Sequence, residues 1–175
     1  MAFVSPEHAV SHFHLHKGDA VSDFGAGSGW FARALSRAVG RAGKVYAFEI
    51  QKPLVERVAR LARDEHLDNV EVLWCDLETE HGCKLHDGLL DAGVLSNTLS
   101  QLGDKSSALE EIRRMLRKGG KLLVLDWSDR SGISPKANVL LPEAAAKVLV
   151  EKHHFHFTRS FPAGDHHYGL AFQAI

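Results

Sequence analysis

Short apolar runs at 20–24, 44–50, 70–75, 89–96 and 121–127 alternate with stretches of helical spacing at 28–39, 53–66, 105–118 and 142–153. That alternation restricts the fold more than any other feature of the chain. Strands that alternate with helices imply a parallel sheet joined by right-handed crossovers, here as one doubly wound α/β domain over 1–175. Two further runs, about 155–161 and 168–174, flank A-G-D-H-H and read as a hairpin that adds one antiparallel strand. Ser5 followed by Pro6 predicts a short first helix reaching His16. Gly119-Gly120 predicts the C-cap of the helix that precedes the fifth run, and 129–141 reads as irregular.

At 175 residues and 45% hydrophobic, the chain can bury a substantial single core. A net charge of −1 supplies no overall field toward nucleic acid. The charge is nonetheless segregated: Arg33, Arg37, Arg41, Lys44, Lys52, Arg57, Arg60 and Arg63 crowd one stretch, and an acidic stretch from Asp64 to Asp87 follows. Solvated helix faces are the expected reading, and a basic docking surface is the alternative. Cys75 and Cys83, with seven residues between them, match no zinc spacing and make no disulfide framework, so Cys75 is expected to be a buried reduced thiol. The first residues lack a basic segment followed by an apolar one, so no signal peptide is expected. No apolar run approaches the ~18 residues of a membrane span. A cytoplasmic protein with no membrane partner is expected.

The first run leads into D-F-G-A-G-S-G (23–29), a glycine loop that opens a helix. In an open parallel sheet, ligands sit beyond the carboxyl ends of the strands, where this loop falls. Gly25 and Gly27 permit a close backbone approach that a side chain would block. Glu49, twenty residues past Gly29 at the end of the second run, is placed to accept both hydroxyls of a ribose. Asp76, at the end of the third, can accept from an adenine amino group. Together they lay an adenosine across three adjacent strand ends, which fits a dinucleotide or S-adenosylmethionine. The dinucleotide fingerprint G-x-G-x-x-G wants glycine where this chain has Trp30, which disfavours a nicotinamide oxidoreductase.

Over nearly its full length the chain resembles the class I S-adenosylmethionine-dependent methyltransferases. The resemblance rests on D-F-G-A-G-S-G, A-F-E-I (47–50), W-C-D-L (74–77), L-L-D-A-G-V-L-S-N (89–97) and L-R-K-G-G-K-L-L-V-L-D-W (116–127). Within that family it looks most like the branch of quinone-biosynthesis C-methyltransferases and type 11 methyltransferases. The resemblance implies a Rossmann-like, doubly wound, seven-stranded sheet, mostly parallel with an antiparallel last strand. It further implies contacts to the methionine moiety from Gly25, Gly27 and their neighbours Asp23, Ala26 and Gly29. Glu49 would hold the ribose, Ile50 would pack on adenine, Asp76 and Leu77 would hold its edge, and 95–97, with Ser96, would line the sulfonium. Ala92-Gly93 departs from the bulkier apolar residues usual there.

Methyl transfer from a sulfonium needs alignment and exclusion of water, and a base only where the acceptor must lose a proton. Asn97, Asp126 and His166 are the candidates for orienting or deprotonating an acceptor. Asn97 also suits a strand-end turn, and Asp126 a capping carboxylate. Twelve histidines include pairs and alternating runs whose spacing does not converge on a metal, so none is expected. If the sixth strand runs parallel to the others, the turn 162–167 emerges beside the cofactor, and His166, His167 or Tyr168 approaches the acceptor. The expected activity is methyl transfer from S-adenosylmethionine, leaving S-adenosylhomocysteine, to an unidentified acceptor, favouring a small molecule. With little chain beyond the family core, a second subunit in a homodimer is one way to enclose it. The first half also resembles tRNA-adenine and isoaspartyl methyltransferases, so tRNA or protein is the alternative acceptor. A non-catalytic S-adenosylmethionine-binding protein is the alternative outside enzymes.

Overall fold

The Ser5 hydroxyl accepts from the His8 N–H (3.3 Å) and caps the first helix, α1 (Pro6–Ser11), with Pro6 in its first turn. A computed structural model of the chain describes residues 5–128 and 140–175. After α1 come β1 (Ala20–Phe24), α2 (Trp30–Val39), β2 (Lys44–Glu49), α3 (Lys52–Asp64), β3 (Val70–Trp74) and β4 (Leu90–Ser96). A 3-10 turn (Leu99–Gln101), α4 (Lys105–Met115), β5 (Leu116–Trp127), α5 (Glu143–Glu151), β6 (Phe155–Pro162) and β7 (His167–Ala174) complete the order. The stretch expected to be irregular lies mostly outside the described residues.

The seven strands form one sheet in the order β3-β2-β1-β4-β5-β7-β6. β7 is antiparallel to both β5 and β6, so β6 runs in the direction of β1–β5. The doubly wound, mostly parallel sheet is therefore as expected. Alternating side chains feed two buried layers. On one face, Phe24, Leu122, Val124, Leu170 and Phe172 pack with Leu109 and Ile112 of α4 and Val150 of α5. On the other, Val21, Val45, Leu123 and Leu125 pack with Val10 of α1, Leu35 of α2 and Val58 of α3. Gly93 fits the first layer because the Phe24 ring occupies the space where its Cβ would stand.

Three local expectations change. The first helix stops at Ser11, short of His16, and His14 then takes a left-handed backbone (φ 51). Gly119-Gly120 does not cap α4: Leu116 does, and the glycines lie inside β5, where the register slips between Leu90 and Ala92. A Cβ on Gly120 would meet the Arg117 carbonyl at 2.8 Å, so the tight step needs glycine. Cys75 is not a free thiol. It is joined to Cys83 across a Cα–Cα distance of 4.8 Å. The turn at 79–82 folds the chain back, and Glu111 of α4 fixes the return by accepting from Cys83 N–H (3.1 Å). Arg114, paired with Glu111 (2.8 Å), donates to the Cys83 carbonyl (3.0 Å).

The segregated charges and the surplus of histidine also find structural uses. Arg33 and Arg37 of α2 reach Glu65 (3.2 and 3.4 Å), and Lys44 reaches Glu71 (3.0 Å), so part of the basic stretch is paired with the acidic one. His14, His66, His81 and His154 all hold left-handed turns, a conformation that histidine adopts more readily than most residues. Among the described residues, no group of three or more His, Cys, Asp or Glu is placed to hold a metal. No described helix is long and apolar enough to cross a membrane.

Replacing Gly93 by alanine forces a methyl against Phe24 in a full layer, and the expected cost is about 1–3 kcal/mol. Urea midpoints of G93A and of G93A/F24L check this, the smaller leucine side chain restoring part of the loss because the two sites are in contact.

Candidate active site

Chain order reverses between β1 and β4, and at that switch point a cavity of about 860 Å³ opens beyond the strand ends. It extends along the sheet from Cys75 and Asp76, after β3, to Trp127 of β5 and His167 of β7. Those six strands span roughly 24 Å at about 4.8 Å per step.

The glycine loop forms the middle of the floor. Gly25 and Ala26 both donate to the Phe48 carbonyl (2.9 and 2.8 Å), which pulls the loop over the end of β2. Each glycine has its own reason. A Cβ on Gly25 would meet Thr98 Oγ1 at 2.5 Å, whereas one on Gly27 (φ +53), a cavity-lining residue, would meet only the Gly25 carbonyl at 3.9 Å. Gly29 (φ +84) does not line the cavity. Its Cβ would strike Leu61 of α3 at 2.9 Å, so it lets two helices approach. That is the packing task of the third fingerprint glycine, done one position earlier than Trp30.

Two buried acids face this loop. Glu49 accepts from Gly27 N–H through Oε2 and from Gln51 N–H through Oε1 (2.9 Å each), so the second glycine is fixed by the carboxylate that ends β2. Each oxygen keeps a lone pair toward the cavity side for a hydroxyl. Asp23 accepts from Ala32 N–H of α2 (2.9 Å) and is otherwise enclosed. Burial, helped by the Glu49 charge, pushes its carboxyl up to about 7 despite the Ala32 hydrogen bond. An acid so placed favours a cation beside it.

At the β3 end, Asp76 accepts from Glu78 N–H and Thr79 Oγ1 (3.0 Å each), which shapes its own turn while the residue lines the cavity. Leu77 lies buried against the core there. Ile50 stays half-exposed at the rim, its carbonyl held by Trp74 Nε1 (2.7 Å). At the end of β4, Ser96 and Asn97 both line the cavity. Asn97 has a left-handed backbone (φ 52), and its Oδ1 is buried with no hydrogen-bond partner. It is thus a turn residue and a cavity residue at once.

The three acceptor-side candidates part company. Asp126 is 1% exposed, is not in the cavity wall, and accepts from Ser100 N–H (2.9 Å), Ser100 Oγ (2.8 Å) and Trp127 N–H (2.8 Å). It anchors the 3-10 turn after β4. His166 is buried outside the cavity wall, its carbonyl accepting from Ser128 N–H (2.8 Å), while His167 lines the cavity. Pro6, Phe31, Gln101 and Trp127 also line it and were not singled out from the sequence. Trp127 was reachable by the strand-end rule; Pro6 and Phe31 carry no local signal, because only the docking of α1 and α2 brings them there.

These residues fit S-adenosylmethionine. The space at Gly27 is what a Cβ would fill, Glu49 offers acceptors for vicinal hydroxyls, and Asp23 offers a buried negative charge to a cation. In the free chain the Asp23 carboxyl is raised above its ordinary 3.8, so it favours the folded state at low pH, and that stability is lost as pH climbs toward 7. A ligand that sets an ammonium group beside Asp23 reverses the preference by stabilising the carboxylate. Calorimetry should therefore show affinity for S-adenosylhomocysteine rising about tenfold from pH 6 to 8, and D23N should flatten the slope. G27A should weaken binding about tenfold or more, and because φ +53 strains any side chain it should also lower the melting temperature by roughly 2–8 °C.

The pattern of the family described as "Methyltransferase domain" matches residues 22–124, more than half of the chain. An uncharacterized 37.1 kDa protein in transposon TN4556 of Streptomyces fradiae is 35% identical over 63% of this chain and 31% of its own length. A ubiquinone/menaquinone biosynthesis C-methyltransferase UbiE from Hydrogenovibrio crunogenus is 32% identical over 69% of this chain and 47% of its own length. The chain thus spans less than half the length of these curated relatives. The crystal structure of a SAM-dependent methyltransferase from Aquifex aeolicus superposes with a TM-score of 0.91 at 26% identity, covering 99% of this chain and 91% of the other. Matching sequence pattern, sheet order and cavity agree: the chain belongs to the class I S-adenosylmethionine-dependent methyltransferase family.

Proposed function

We propose that the protein binds S-adenosylmethionine in this cavity and transfers its methyl group to a small molecule. When bound, S-adenosylmethionine supplies an electrophilic methyl carbon on a sulfonium that leaves readily with the bonding electrons. The chain's part is to hold the two reactants in line and keep water out. Glu49 and Asp76 would fix the nucleoside, Asp23 the cationic tail, and the Gly25–Gly27 backbone would leave room for both. One observation carries the choice of a small acceptor. The cavity does not stop at the donor residues but continues past β4 to a pocket walled by Pro6, Phe31, Trp127 and His167. Its volume lies toward the upper end of the roughly 300–1,000 Å³ usual for small-ligand sites, room for a donor and a modest partner.

Pairing of Arg33, Arg37 and Lys44 with Glu65 and Glu71 counts against a phosphate-binding face on α2. A tRNA or protein acceptor is therefore the weaker reading, and a cytoplasmic enzyme acting on a metabolite the stronger.

Calorimetry should show one site for S-adenosylmethionine and for S-adenosylhomocysteine; absence of binding by both at millimolar concentration would sink the reading. Radiolabelled methyl from the donor should appear in a low-molecular-weight extract, while bulk tRNA should remain unlabelled.

A further inference from the structure

Resting on that reading, we propose that the β5–β7 end of the cavity is an acceptor subsite for a small planar molecule with an ionisable hydroxyl, a phenol or an enol. His167 is the group that takes the proton this acceptor gives up.

The sheet register creates the subsite. Trp127 of β5 stands opposite His167 of β7, and Asp126 opposite Tyr168. Because side chains alternate, Trp127 and His167 share the face that carries Leu123 and Leu125, against which α1 and α2 pack. Pro6 from α1 and Phe31 from α2 line the same cavity on that face. Asp126 and Tyr168 point to the other face, where Tyr168 joins the α4–α5 layer.

His167 is only 8% exposed, yet neither ring nitrogen has a hydrogen-bond partner among the described residues. A buried polar group left in that state is costly, and one in a cavity wall is satisfied by what enters the cavity. The Trp127 ring lies 4.3 Å from the imidazole centroid at an interplanar angle of 34°. The partner therefore meets a flat apolar wall beside a nitrogen lone pair. Among the described residues, the acids lining the cavity are Asp23, Glu49, Asp76 and Glu78, all at or beyond the ends of β1, β2 and β3. Asp126, next to Trp127 in the chain, spends both oxygens on Ser100 and Trp127. Among the described residues that line this end, an ammonium-bearing acceptor meets no carboxylate, whereas a hydroxyl finds a base.

The proton balance is simple. The acceptor's O–H bond breaks and its proton joins a ring nitrogen of His167, giving an imidazolium. The electron pair left on the acceptor forms the new bond to the methyl carbon, at oxygen or at the conjugated carbon. In the carbon case, the ring C–H proton passes to solvent water as the ring re-aromatises, and the His167 imidazolium returns its proton to the oxygen, restoring the phenol. The carbon–sulfur pair stays on sulfur. Burial holds the His167 imidazole below its ordinary value, and His166 lowers it further, against a raising influence from Asp126. The ring is thus neutral at pH 7, with its lone pair available.

The test uses the full chain with tritiated S-adenosylmethionine and four probes: 1-naphthol, caffeic acid, aniline and benzylamine. Calorimetry with S-adenosylhomocysteine comes first, on wild type and H167Q. Equal affinity is expected, and loss of binding in wild type would instead remove the donor reading on which the proposal rests. With donor bound, the phenols should be methylated and the amines not. H167Q should lower kcat about 100-fold or more, in the range of general-base catalysis, with the donor KM unchanged. Wild-type kcat/KM for the phenol should rise with pH to a plateau, with an apparent pKa below 6.5. That limb should vanish in H167Q, and imidazole should partly rescue H167A. Faster methylation of the amines, no binding of either phenol to the donor-loaded protein, or a pH limb that persists in H167Q each overturns the proposal. Should H167Q fail to bind S-adenosylhomocysteine, the wild-type pH limb and the probe preference decide alone.

Discussion

Two carboxylates buried at neighbouring strand ends set the geometry on which the rest of the site depends. Asp23 ties β1 to the first turn of α2, and Glu49 ties β2 to the second glycine of the loop between them. These two hydrogen bonds act with those from Gly25 and Ala26 to the Phe48 carbonyl, which draw the loop over the end of β2. Both acids are almost fully removed from water, which is expensive for a charge unless a partner compensates it. The free protein meets that cost partly by letting Asp23 hold its proton. The charge of the cavity floor and the stability of the loop are therefore the same electrostatic problem.

The sequence carried much of this, unevenly. Strand and helix alternation was legible because each run is bounded by glycine, proline or charged turns, and right-handed crossovers place helices on both faces of a sheet ordered β3-β2-β1-β4-β5. The cavity-lining residues of β1, β2 and β3 were legible because strand ends in a parallel sheet converge on one edge. What the sequence could not display was anything settled by packing between distant segments. Gly29 looks like a ligand-facing glycine until α3 is docked and Leu61 occupies its flank. Gly119-Gly120 resembles a helix cap, but the pairing of Leu116 with Leu90 of β4 extends β5 back to Leu116. Cys83 approaches Cys75 only because Glu111 and Arg114, about thirty residues on, hold the returning loop.

Histidine shows the same limit from another side. Twelve in one chain invite a single explanation, yet they divide among unlike tasks. Four hold left-handed turns, His12 packs on Phe161 with ring centroids 4.6 Å apart, and His167 alone lines the large cavity. Only register with Trp127 separates His167 from His166, its neighbour, and register is a property of the folded sheet.

The region matched by the family pattern ends at residue 124, whereas Trp127 and His167 lie beyond it. β7 is inserted between β5 and β6, so the distal hairpin supplies one wall of a cavity whose opposite wall is made by the first helices. The two ends of the cavity are therefore built by different parts of the chain. The donor end is locked by mutual constraints among Gly25, Thr98, Gly27 and Glu49, and a change at one demands a change at another. The hairpin end has no such lock: residues on its cavity side can vary without disturbing the loop that holds the donor. A chain built this way can keep one reagent and change its clients.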